Sequence, residues 1–142
     1  MNRRMAVLAG AQGVVWPVIA SSAEGQVAAQ EVAIGSLFEV VGTLYWHDVA
    51  LDLNKKSVDR VVLLPLRLSG PEILARHLVP LGSQIRFIAK LPSRWPSFLF
   101  APEYQVEVST MSARAGIPVV MALSRGNEGA VTPLNPTIYK PL

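Results

Sequence analysis

Apolar residues recur at every second position in three separate stretches of this chain, and that period points to a sheet. Phe38, Val40, Gly42, Leu44 and Trp46 fall on one side of the first stretch, while Glu39, Thr43, Tyr45 and His47 fall on the other. Ile85, Phe87 and Ala89 alternate with Gln84, Arg86 and Lys90, and Tyr104, Val106 and Val108 alternate with Glu103, Gln105 and Glu107. Each pattern predicts a strand with one face on a core and the other toward water. Gly42 interrupts the first run where a curved sheet needs a bend or a bulge.

Between the first two of these stretches, residues 60–90 form the unit around which the rest is arranged. Residues 61–68 are a short, nearly unbroken apolar run that fits a strand buried on both faces. The local signals then change. Ser69 can accept free amides at a helix start, Pro71 presets the helical φ, and Glu72 sits where a capping box places its carboxylate. A short helix is therefore expected, with Ile73, Leu74 and Leu78 as its buried stripe and Arg76 and His77 at its edge. Pro80 ends it, and Gly82 and Ser83 turn the chain into the strand at Ile85.

The connections carry turn chemistry. Residues 48–58 are polar and read as a loop. Pro92 and Pro96 bracket a rigid loop that cannot continue a ladder, Phe98 to Phe100 start a strand that Ala101 and Pro102 interrupt, and residues 111–116 turn. Residues 118–123 are a last apolar strand. Residues 125–142 carry Pro133, Pro136 and Pro141 and read as extended packing or a loose tail. About five antiparallel strands with one short helix give a mainly β expectation: a small, strongly bent barrel or sandwich over residues 36–124. The oligonucleotide/oligosaccharide-binding style of barrel is the nearest named architecture, although there the helix follows the third strand and here it follows the second.

At 142 residues without an internal repeat, the chain has room for one core. Only 16% of its residues are charged, against about 25% in an ordinary soluble domain. Part of the excess apolarity lies at the start. Arg3 and Arg4 precede a charge-free apolar run, residues 6–20, and then Ser21, Ser22 and Ala23, which together resemble a signal peptide over residues 1–23 of the general or the twin-arginine type. A buried or interfacial N-terminal helix is the competing reading. Residues 24–35 would then lead into the fold of a periplasmic or secreted bacterial protein. The net charge of +3 includes those two arginines and no acid from the same segment, so the remainder carries an excess of one basic residue. That excess is small for a nucleic-acid binder.

With no Cys, the chain has no disulfide, thiol nucleophile or Cys-ligated zinc site. Two histidines, His47 and His77, supply too few ligands for a His-based metal centre without added carboxylates, and neither a metal nor a cofactor is expected. The densest group of functional side chains is Tyr45, Trp46, His47 and Asp48. Adjacent residues on a strand point to opposite faces, so His47 and Asp48 form a base and its orienter only where the strand has already turned. No nucleophile elbow and no phosphate loop occurs, and residues 125–129 read as a turn with Arg125 as a possible polar contact. Arg94 and Trp95, held between two prolines, either plug the end of a barrel or anchor a partner. No catalytic set emerges. The expected role is a non-enzymatic binding or accessory module for a protein or small ligand, contacting it through Tyr45, His47, Asp48, Arg94, Trp95 and Arg125. The alternative is a cytoplasmic single-stranded nucleic-acid binder using Arg67, Arg86, Lys90 and Arg94 as a basic track.

Overall fold

The computed structural model describes residues 31–93 and 100–142, all within one compact unit, Glu31–Leu142. The expected signal segment, most of the leader, and Arg94 and Trp95 lie outside the described residues. The strands are β1 (Leu37–Val40), β2 (Tyr45–Val49), β3 (Arg60–Leu64), β4 (Ile73–Leu78), β5 (Gln84–Lys90), β6 (Glu103–Val108), β7 (Val119–Ala122) and β8 (Tyr139–Pro141). They form one sheet in the order β4-β2-β3-β7-β6-β5-β1-β8. All neighbours are antiparallel except β3 and β7, which run parallel with Val61 opposite Val119.

The mainly β expectation holds, but four of its details change. Among the described residues the sheet has eight strands, it is mixed, and it is open, with β4 and β8 as its edges, so no closed barrel forms. No described residue is in a helix. Among the described residues there is thus no helix long and apolar enough to cross a membrane.

The expected helix at residues 73–78 is strand β4. Gly70 takes a φ of 136°, a conformation open to glycine, and Ile73 N–H donates to Gly70 O at 3.1 Å, so residues 70–73 make a turn instead of a first helical turn. Glu72 O then accepts from Ala50 N–H at 2.8 Å, which ties the start of β4 to β2. A helix this short would form few internal bonds, whereas as a strand the same residues pair along all of β2.

A short connection forces the sheet to coil. β1 and β2 are five places apart in the sheet order, about 24 Å in a flat sheet at ~4.8 Å per strand. Val40 and Tyr45 are joined by chain that reaches roughly 18 Å at most. The two strands nevertheless share one register with β5 and β4: Glu39 lies opposite Gln84, and Tyr45 opposite Leu78. Backbone bonds from Val40 N–H to Ser83 O and from Val79 N–H to Leu44 O carry that register across the gap. The bend falls at Gly42, where a β-carbon would sit 2.3 Å from Thr137 O, so only glycine allows this approach.

The inner face holds one hydrophobic cluster, including Val40, Leu44, Trp46, Leu63, Ile85, Phe87, Tyr104, Val106 and Met121. Phe87 packs edge-on against both Phe38 and Tyr104, with centroid distances of 5.6 and 5.4 Å. Both ends of the described unit are tied to the sheet. Val32 N–H donates to Tyr104 Oη at 3.0 Å, and β8 pairs with β1. Asn127 is fully buried: its Nδ2 donates to Leu63 O and Ala122 O, and its Oδ1 accepts from Tyr139 Oη. One side chain therefore joins β3, β7 and β8. Burial pushes the Tyr139 phenol far above its ordinary pKa, so it donates throughout the accessible pH range.

Candidate functional site

β2 places the Tyr45–Asp48 group as its alternation requires. Trp46 and Asp48 share the inner side, and Tyr45 and His47 share the outer side, where they lie opposite Leu78 and Arg76 of β4 and Leu64 and Val62 of β3. The possible pairing of His47 with Asp48 is therefore not assembled. His47 is 0% exposed, with Nδ1 3.1 Å from Val62 O and Nε2 accepting from Leu68 N–H at 3.0 Å. These partners define a neutral ring with its proton on Nδ1. Burial holds the His47 pKa below its ordinary value, the bond to Val62 opposes that shift, and the positive charge of Arg76 adds to it. His47 thus fastens the segment after β3 onto the outer face of the sheet.

Asp48 is occupied in a different way. Its Oδ1 accepts from Trp46 Nε1 at 3.1 Å and from Arg114 Nη2 at 2.8 Å. The carboxylate is almost buried, while the guanidinium is about half exposed. This ion pair crosses a shallow depression lined by Trp46, His77, Leu78 and Met111. His77 lies opposite Trp46, and Arg76 lies opposite His47, so the two histidines occupy opposite faces of the sheet. Among the described residues, no three His, Asp or Glu side chains converge as metal ligands would.

Tyr45 lies in a second depression, together with Arg67, Arg76, His77 and Leu78. Side chains at 77 and 78 leave opposite faces of β4, so a hollow lined by both must straddle the open edge of the strand. Arg76 donates one Nη1 bond to Leu68 O at 2.7 Å, and among the described residues neither Arg67 nor Arg76 has a carboxylate partner. Leu78 is 62% exposed, and Leu66 nearby in sequence is exposed too.

The other sequence candidates are dispersed. Arg125 is exposed, adopts a φ of 57° in its turn, and borders a separate hollow beside Val62 and Leu64. In the basic track, Lys90 is bonded to Glu31 at 2.8 Å and Arg86 faces Glu107 at 4.0 Å, leaving Arg67 without an acid partner. The Glu31 hydrogen bond also raises the Lys90 pKa. The sequence reading assigned Arg76 to a solvated helix edge and Arg67 to a strand. The pairing of Asp48 with Arg114, 66 positions away, has no local sequence signal. Comparison with family models, with curated proteins and with solved structures gives no match.

Proposed function

We propose that this protein is a non-enzymatic binding module, exported from the bacterial cytoplasm, which holds a protein or small ligand against the outer face of β2 and the edge of β4. The observation that carries the reading is the hollow at Tyr45, where an aromatic ring and two guanidiniums without carboxylate partners meet exposed leucine. Unpaired cations gathered beside an aromatic ring favour an anionic or aromatic contact more than they favour the fold itself. His47 and Asp48, the pair nearest to acid–base chemistry, are both engaged in structural bonds. Trp95 and Arg94 remain proposed contacts of the same module. Export rests on the basic, apolar and small-residue pattern of residues 1–23.

The nucleic-acid alternative loses support because Arg86 and Lys90 face acids, which breaks the proposed track. Two measurements test the main reading. The N-terminal residue of the native protein is expected to follow Ala23, and an intact Met1 in the cytosolic fraction refutes export. A photo-crosslinker at position 67 in living cells is expected to give a discrete adduct that the same group at position 107 does not give. Equal labelling at both positions, or none, refutes the binding surface.

A further inference from the structure

The open edge of β4 offers backbone groups as well as charge. The bond from Val79 N–H to Leu44 O, continued in register, turns the backbone groups of Ala75, His77 and Val79 toward β2. Arg76 and Leu78 therefore direct their N–H and C=O groups away from the sheet, and among the described residues β4 has no second neighbour to receive them. The opposite edge is better guarded: β8 has three residues, one of them proline, and a lysine. β4 carries a bulge between its pairings with Asp48 and Val49, but from Ala75 to Leu78 it is regular.

We infer that an extended peptide segment bearing a carboxylate adds as a strand to the outer edge of β4, its acid held by Arg67 and Arg76 and its next same-face residue packed on Leu78 and Tyr45. This deepens the binding-module reading and rests on it. Three observations converge on such a segment. The free N–H and C=O groups of Arg76 and Leu78 match an extended backbone, the two guanidiniums match a carboxylate, and exposed Leu78 beside Tyr45 matches an apolar side chain two residues further on.

A second copy of the chain is a poorer occupant. In two-fold pairing centred on Arg76, that arginine faces its own copy, with His77 opposite Ala75 on either side. The carboxylate partner removes this repulsion.

The test uses the full chain and a capped nine-residue peptide of alternating threonine and valine with a central glutamate. On saturation, the amide protons of Arg76 and Leu78 are expected to gain protection from hydrogen exchange while those on β8 stay unchanged. Replacing the peptide's glutamate by lysine, or making Arg76→Glu, is expected to weaken binding by roughly tenfold, because each change turns an opposite-charge cross-strand pair into a like-charge one. Methylating the edge-facing peptide amides is expected to abolish binding, and inorganic phosphate is expected to compete only weakly. Arg76 is exposed, so an unchanged thermal transition in the variant certifies its fold.

Equal affinity for the lysine peptide, no protection at Arg76 and Leu78, full competition by phosphate, or peptide-independent dimerisation through this edge each overturns strand addition. With a position-67 adduct still present, such a result refutes strand addition and leaves the binding module standing. Loss of the adduct as well refutes both.

Discussion

Two regions of the same sheet are built on different terms. In the β5–β6–β7 sector, each strand has a neighbour on both sides, and Ile85, Phe87, Tyr104, Val106 and Met121 fill the interior with almost no exposure. In the β2–β4 sector the last strand has a neighbour on one side only. There the bonds that hold the chain pass through polar groups: the His47 ring and the Asp48–Arg114 pair. The first sector derives its stability from buried area. The second gives up some of that area and leaves cations and backbone groups exposed at an open edge.

This contrast predicts an ordered series of effects. Phe87→Ala, in the well-filled sector, is expected to cost about 3–5 kcal/mol in a denaturant titration, because it empties a site packed by Phe38 and Tyr104. A loss below about 1 kcal/mol would show that this interior is much looser than its burial implies. Asn127→Ala comes next, at about 3 kcal/mol, since it strands Leu63 O, Ala122 O and the Tyr139 hydroxyl. Hydrogen exchange in β8 should rise with it, as β8 is tied down through Tyr139.

His47→Ala is expected to cost roughly 2 kcal/mol, by leaving Val62 O and Leu68 N–H without their partner. The pH dependence of the wild type checks the same residue independently. The folded-state pKa of His47 lies below 6.5, so between the two values the unfolded chain binds the proton more readily. Its contribution is therefore full above about pH 6.5 and is lost as pH falls from there through the folded-state pKa. In the alanine variant that slope should disappear.

Arg114→Ala should have a smaller effect, about 1 kcal/mol, because the guanidinium is half exposed while the carboxylate it leaves behind is nearly buried. The smallest change is expected for Arg76→Ala, within about 0.5 kcal/mol, as for other exposed positions. A large loss of stability there would mean that its bond to Leu68 holds the fold, and the contrast between the two sectors would fail.

The legible parts of the structure are those whose pattern is local. The alternation at 85–89 and 104–108 yields β5 and β6 with the expected residues inside, and Gly42 marks the bend where β1 gives way to β2. Residues 69–78 depart from the helix their sequence predicts because Ser69, Pro71 and Glu72 suit a helix start and a turn equally. The φ of Gly70 and the unpaired side of β2 decided between them. The outward side of β2 was expected to be wet, yet His47 is buried there, because the segment after Leu64 folds back over it. No periodicity reports such a cover. Tyr45 lies on the outward side of β2, as its alternation requires, but its neighbours Arg67 and Arg76 come from separate segments that only the pairing of β2 with β4 brings together.

The sequence by itself determined the period, and with it the strand class, the residues that face inward along most of the sheet and the places where the chain must turn, because side-chain alternation and backbone preference act over a few bonds. Tertiary structure alone decided which strands became neighbours, that the sheet stayed open at β4, and which charges were left without partners there. Those outcomes depend on contacts between residues far apart in the chain, whose energies no short stretch of sequence contains.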